Sequence, residues 1–340
     1  MTGLEDSLRA ALDAAVTGTP ERELARAVGD LTARYRAASG GRPAATPVLA
    51  SPTLAAAYAA YRMPATFAAA SSALCQLAAQ VPGFQPLTQA DVGGGTGAAI
   101  WAAAQVWPDL ARVQVLEREA AVIEVGRRLA RSAPAAAVRD ASWTRCLLGR
   151  DAAIPAADLI TMCYLLGELT PAAAAATVRE AAARGQAVVL IEPGTPDGYR
   201  RVLAARGALI EAGLTVVAPC PHDRDCPIEP GTDWCHFAAR LHRSALHRRL
   251  KEGALGHEDE KFSYVAATRD RWPAAPGRIL RHPKLAKGAV TLSLCTDPPG
   301  LASRTVFRRE TGLYRSARNA AWGDPWPPSA DPDTDGTAAG

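Results

Sequence analysis

The run Asp91-Val92-Gly93-Gly94-Gly95-Thr96-Gly97 joins an acid to glycines that permit a tight turn and close approach of a ligand to the backbone. It lies between an apolar segment ending at Val92 and an Ala-rich helical stretch starting at Ala98. Glu117 ends the next apolar segment about 20 residues later, where an acid can bind ribose hydroxyls. Asp140, followed by Ala141, ends a third segment, where an acid can bind an adenine amino group. The spacing D-x-G-x-G-x-G brings the third glycine too early for a dinucleotide G-x-G-x-x-G turn. Asp91, Gly93, Gly94, Gly95, Gly97, Glu117, Asp140 and Ala141 are therefore the candidate nucleoside-binding residues.

A second set is built from sulfur. Four of the seven cysteines and all six histidines lie between positions 220 and 295. Cys220, Cys226 and Cys235 are spaced C-x5-C-x8-C, and Cys295 follows at the end of an apolar strand. An odd cysteine count argues against a disulfide framework and for a metal centre. Four thiolates can hold an iron–sulfur cluster or a structural zinc. Zinc ribbons use close C-x2-C pairs, and there are none here; the wide spacing with Cys-Pro steps suits a cluster better. His222 and His236 stand near enough in sequence to act as alternative ligands or as donors to the thiolates.

The third set is basic. Residues 200–320 hold 21 Lys/Arg against 12 Asp/Glu, whereas residues 1–199 hold 17 against 18. The stretch after Cys235 reads as a helix carrying Arg240, Arg243, Arg248, Arg249 and Lys251, a candidate RNA-binding surface because phosphates reward clustered cations. No catalytic residue is named by the sequence. Cys163 lies in the fourth apolar segment without the proline that a cytosine-C5 nucleophile would carry, and reads as a buried core thiol. Glu168 could act as a base or face the cofactor.

The elements that must position these residues alternate. Apolar segments ending at Val92, Glu117, Asp140, Leu166 and Pro193 are each followed by a helical stretch, which predicts a doubly wound parallel sheet. TVVAP at 215–219 and FSYVAAT at 262–268 read as sixth and seventh strands. Residues 1–80 read as a helical region that Pro64 should break or kink. The expected division is 1–80 helical, 81–217 with 262–268 as the nucleoside-binding domain, 218–261 as a Cys/His-rich basic insert, 269–322 as a small β extension, and 323–340 as a disordered tail. At 48% hydrophobic and 21% charged residues the chain is ordinary for a globular protein, and no apolar run is long enough to span a bilayer. Glu5, Asp6 and Asp13 oppose a signal or transit peptide, so a cytoplasmic protein without membrane contact is expected.

The Gly-rich loop with Glu117 and Asp140 resembles the class I S-adenosylmethionine-dependent methyltransferases, whose fold is Rossmann-like α/β. The resemblance implies that Gly93–Gly97 hold the amino-acid end of S-adenosylmethionine, Glu117 the ribose, and Asp140 with Ala141 the adenine. The Asn/Asp-Pro-Pro-aromatic motif of base N-methylating relatives is replaced here by Cys163-Tyr164-Leu165-Leu166. Further pieces resemble the Rsm-type mitochondrial small-ribosomal-subunit methyltransferase-like family, which has bacterial members: Tyr61-Arg62-Met63-Pro64-Ala65-Thr66, Glu192-Pro193-Gly194-Thr195-Pro196, Asp233-Trp234-Cys235-His236-Phe237 and Glu258-Asp259-Glu260-Lys261-Phe262-Ser263-Tyr264. That resemblance implies a [4Fe–4S] cluster on Cys220, Cys226, Cys235 and Cys295, with zinc as the alternative. It implies small-subunit rRNA as the partner; a monomer is expected, and the high Ala, Gly and Arg content with no transit-peptide pattern points to a bacterial, cytoplasmic member. Three functions are carried forward: an rRNA-directed methyltransferase-like protein, a non-catalytic assembly factor, and a small-molecule methyltransferase.

Overall fold

The computed structural model describes residues 3–20, 22–24, 26, 29, 52–148, 153–229, 231–242 and 257–328. Helices α1 (Leu4–Ala15) and α2 (Pro52–Gln80) precede the sheet. Pro64 does not break α2: the helix runs through it, because Met63, Phe67, Leu74 and Leu77 are buried in one continuous core on either side of the proline. Packing outweighs the backbone bond that proline removes.

The sheet follows the predicted alternation. Strands β1 (Thr88–Val92), β2 (Arg112–Glu117), β3 (Ser142–Arg145), β4 (Ala157–Cys163) and β5 (Gly185–Pro193) are parallel. Helices α3 (Ala98–Val106), α4 (Ala120–Ala130), α5 (Ala136–Arg139), α6 (Pro171–Arg184) and α7 (Pro196–Glu211) connect them and lead on to β6 (Thr215–Ala218). Strand β8 (His257–Thr268) runs antiparallel between β5 and β6, and β7 (Phe237–His242) pairs with its first half. The order is β3-β2-β1-β4-β5-β8-β6. A mostly parallel sheet with its penultimate strand reversed is the Rossmann-like methyltransferase arrangement. The inner strands are near-continuous apolar runs because helices cover both faces. Trp101, Leu74 and Val189 belong to the core on one face, and Ile160, Leu190 and Leu209 to that on the other. Thr170 and Thr195 start α6 and α7: each hydroxyl accepts from the amide three residues on, with proline next in line.

The extension is a second, four-stranded antiparallel sheet: β9 (Gly277–Ile279), β10 (Lys284–Ala286), β11 (Ala289–Thr296) and β12 (Gly300–Phe307), backed by helix α8 (Thr311–Asn319). Its own core holds Ile279, Leu292, Val306 and Trp326. Arg278, 2% exposed, fastens it to the rest: Nε donates to Pro219 O, and Nη1 to Gln76 Oε1 and Gly323 O.

Three expectations change. The stretch after Cys235 is strand through His242, not helix, because Phe237, Ala239 and Leu241 alternate inward against β8. Arg240 thus sits on a strand, and Arg243, Arg248, Arg249 and Lys251 lie outside the described residues. The insert at 218–261 is not separate, since β7 and the start of β8 extend the main sheet. Residues 323–328, assigned to the tail, pack instead: Pro325 bridges to Arg278 and Trp326 is 6% exposed.

Candidate functional site

The carboxyl ends of β1, β2, β4 and β5 meet at one edge, where open α/β sheets bind ligands. The Gly-rich loop leaves β1 and curls over β2, with the amides of Gly93 and Gly94 donating to Leu116 O at 2.8 and 3.2 Å. Gly93, Gly95 and Gly97 have φ of +64°, +57° and +90°, which favours glycine at each. Gly94 is required by space: a Cβ there would lie 2.4 Å from Asp91 Oδ2.

Asp91 is fully buried. Its Oδ1 accepts from Thr161 Oγ1 at 2.7 Å, and its Oδ2 has no partner among the described residues. Burial, then the nearby Glu117 charge, pushes its carboxyl up to about 7. Glu117 takes the amide of Gly95 at 3.0 Å and that of Glu119 at 2.8 Å, bracing the loop where a ribose edge would compete. Glu168, in the short 3-10 turn after β4, is also pushed up to about 7, by burial first and by Glu117 second. Acids crowded with too little countercharge form a mouth suited to a cationic ligand.

Asp140 and Ala141 do not join this mouth. They precede β3, and the register pairs Ser142 with Gln114 near the start of β2, at the opposite edge from the loop. Asp140 is exposed, with the Arg139 guanidinium 3.8 Å away. The sequence reading placed the third strand one segment too early.

Opposite the loop stands a group that the sequence did not bring together. Tyr164 follows β4 and holds φ of +57°, the one non-glycine with positive φ among the described residues. Such strain costs about 1–3 kcal/mol and gathers at functional sites. Its hydroxyl donates to Glu260 Oε1 at 2.9 Å, and Arg62 binds the same carboxylate at 3.0 and 3.4 Å while lying 5.5 Å from the Tyr164 ring centre. One residue along from Arg62, Met63 sulfur accepts from Thr96 of the loop at 3.3 Å. The signal existed in two motif segments, but nothing in their spacing revealed that they meet across Tyr164. Cys163 is half-buried beside them, and desolvation, then the charge of Asp91, holds its thiol well above its usual range.

The four cysteines do converge. Cys220, Cys226, Cys235 and Cys295 line one cavity with Tyr199, Arg206 and Tyr264. Burial, then Cys220 and Cys226, pushes the Cys295 thiol up to about 12, and Cys235 is raised by burial and then by the other three. Tyr199 Oη lies 3.1 Å from Cys226 sulfur. Arg206 donates to the carbonyls of His222 and Arg224, while its Nε and the Tyr264 hydroxyl are buried with no hydrogen-bond partner among the described residues. Among the described residues, however, no three His, Cys, Asp or Glu stand close enough to hold one metal ion. The four sulfurs line a cavity, and neither the iron–sulfur cluster nor the zinc alternative is shown there. His222 Nε2 is 3.9 Å from Cys295 sulfur, and His236 stacks on Trp234 instead of facing the thiols.

Of the described basic residues, Arg240 is committed to Asp259 at 2.8 and 3.0 Å and Arg281 to Asp233 at 2.6 Å.

The family model described as Mitochondrial small ribosomal subunit Rsm22 matches residues 52–327. The human ribosome assembly protein METTL17, mitochondrial, is 29% identical over 81% of this chain and 63% of its own length. The Rsm22-cox11 tandem protein 2, mitochondrial, of Schizosaccharomyces pombe is 28% identical over 42% of this chain and 25% of its own. The chain thus spans less than two thirds of these curated relatives. Among solved structures, magnesium protoporphyrin IX methyltransferase of Synechocystis with bound S-adenosylmethionine is 11% identical over 75% of this chain and 99% of its own, at a TM-score of 0.41. The precorrin-6y C5,15-methyltransferase of Geobacter metallireducens is 15% identical over 59% and 86%, at 0.38. These superpositions are loose, and the strand order above carries the fold assignment. The bacterial, cytoplasmic setting expected from the sequence is overturned by the relatives, which are mitochondrial proteins; acids near residue 1 do not define a compartment.

Proposed function

The chain belongs to the mitochondrial small ribosomal subunit Rsm22 family, and on that premise we propose that it is an S-adenosylmethionine-binding, methyltransferase-like factor acting on small-subunit rRNA during ribosome assembly, with an iron–sulfur cluster as a structural part. The observation that carries the cofactor is Asp91: a buried carboxyl with one oxygen unpartnered, behind a loop whose glycines leave the backbone open. S-adenosylmethionine, when bound, supplies an electrophilic methyl group on a cationic sulfonium. Asp91 and Glu168 supply negative charge, Gly93–Gly97 the close-fitting backbone, and Glu117 a hydroxyl acceptor. Asp140 and Ala141 have no part in this pocket, and the catalytic residue is left unassigned.

The cluster reading rests on the donor set. Four thiols face one cavity, and two buried groups there, Arg206 Nε and Tyr264 Oη, have no acceptor among the described residues. Thiolates around an inorganic iron–sulfide core stand further apart than ligands of one ion, which agrees with sulfurs that surround a space. Such a cluster would tie β6, the segment before β7, and β11 together. The role is structural: it fixes the extension on the sheet.

A second reading has an observation of its own. Tyr164, tied to Glu260 and Arg62, fills the position after β4 where base-methylating relatives place their acceptor motif. That closed group favours a non-catalytic assembly factor that binds the cofactor without transferring its methyl. Incubating immature small-subunit particles with methyl-labelled cofactor separates the two. Label in rRNA supports the transferase; no label, with cofactor binding intact, supports the factor. Failure to bind either cofactor or particles would overturn both, and a small-molecule methyltransferase would show no association with particles.

A further inference from the structure

Segment 281–318 holds eight Lys or Arg and two acids. Both acids are committed: Asp297 to Arg224, and Glu310 to Arg304. The strand register sorts the rest. In β11 and β12, Val290, Leu292 and Val306 point into the core beneath α8. The opposite face therefore carries Thr291, Ser293, Ser303, Thr305 and Phe307, and none of these is buried. Lys284 of β10 pairs with Thr291 and joins the same face. At one end the row Ala286–Ala289–Phe307 places two small side chains beside a 44% exposed aromatic ring. Arg309 holds its guanidinium 5.1 Å from the centre of that ring. The amide of Arg308 donates to Gly288 O at 2.9 Å, which brings Arg308 next to exposed Lys287.

We propose that this outer face of the extension, centred on Phe307 with Lys284, Lys287, Arg308 and Arg309, is a binding surface for single-stranded RNA. A base-sized plane has two stacking partners here, an aromatic ring and a guanidinium, flanked by alanines that leave room over them. Hydroxyls along the strands can take sugar and base edges. Among the described residues Lys284, Lys287, Arg308 and Arg309 form no ion pair, so phosphates would displace counterions there. Exposed Leu285 and Leu301 alone would suit a protein partner, but the uncompensated charge selects a polyanion. The other end of the same face leads to Cys295 and the sulfur cavity. The proposal rests on the rRNA partner given above and moves the contact from the insert to the extension.

The test titrates the full chain with a fluorescein-labelled oligouridylate over a range of salt concentrations, beside sedimentation with immature small-subunit particles. Phe307→Ala should weaken oligonucleotide binding about tenfold. Lys287→Gln with Arg308→Gln should flatten the slope of log affinity against log salt by about 1.4, as two phosphate contacts are lost at about 0.7 each. Melting temperatures should stay within a degree or so of the parent, since these side chains are exposed. If the parent binds RNA and the variants bind it equally, with the same slope, this inference fails and the rRNA partner stands. If the variants lose particles but keep the oligonucleotide, the face takes a ribosomal protein and the RNA assignment is wrong. A parent that binds neither overturns both.

Discussion

Arg62 and Glu260, 198 residues apart, form a two-bond ion pair at 3.0 and 3.4 Å that joins helix α2 to strand β8 over Tyr164. The carboxylate also takes the Tyr164 hydroxyl, so one acid anchors three elements around the edge where the Gly-rich loop opens. The Arg62 and Glu260 side chains are 28% and 11% exposed, so the pair is well shielded from water.

Removing one member leaves the other charge buried. Arg62→Met should therefore cost about 3 kcal/mol in denaturant unfolding, while the Arg62→Met/Glu260→Met double variant should cost clearly less than the two single changes added together. Additive costs would show that the pair is not coupled.

Tyr164 carries strain that its partners hold in place. Tyr164→Gly should relieve the backbone and lose the ring and hydroxyl contacts, whereas Tyr164→Phe should lose only the hydrogen bond, about 1 kcal/mol. If Tyr164 blocks an acceptor, Tyr164→Gly should also raise methyl transfer to particles from nothing to a measurable rate. Label that stays absent with the cofactor bound would favour the non-catalytic reading.

Asp91 sets a pH dependence. Its folded-state value, about 7, lies above the ordinary 3.8 of an unfolded aspartate, so the folded chain holds a proton that the unfolded chain has released. Stability of the cofactor-free protein should fall as pH rises from about 4 through about 7, by at most about 1.4 kcal/mol per unit from this residue. Glu168 shifts the same way and adds to the trend. Affinity for the cationic cofactor should move oppositely, rising through about 7 as the carboxyls ionise. Asp91→Asn should flatten the stability profile and weaken the cofactor; a profile unchanged by this substitution would refute the assignment.

Arg278 is expected to be the strongest single tie of the extension. Arg278→Met removes three hydrogen bonds from a charged donor and leaves Gln76, Pro219 and Gly323 short of theirs. A loss of about 3–5 kcal/mol, with early proteolysis between β8 and β9, should follow. Unaltered protease resistance would place the tie elsewhere.

Much of the parallel sheet was legible because its strands are apolar runs punctuated by turn signals. Segments such as RVQVLE and the stretch beginning at Pro171 fall where the pattern put them. The Gly-rich loop was legible for the same reason. Asp140 misled because a four-residue helix, α5, stands where a strand was expected, and too few residues separate the two for periodicity to decide. The basic run misled because the spacing of Phe237, Ala239 and Leu241 fits a strand as well as the first turn of a helix. Helix α8 went unseen because only Ala317 is buried along it. The meeting of Arg62, Tyr164 and Glu260, and of Arg278 with three distant segments, depends on tertiary geometry that no local spacing encodes.

The central claim is that Cys220, Cys226, Cys235 and Cys295 hold an iron–sulfide core that fastens the extension to a methyltransferase-like sheet. Protein purified without oxygen should be brown, with broad absorption in the blue and matched iron and acid-labile sulfide, and Cys295→Ser should lose colour, iron and protease resistance of the extension together. Colourless parent protein without iron, whose extension resists protease as well as before the Cys295→Ser change as after it, would contradict the account.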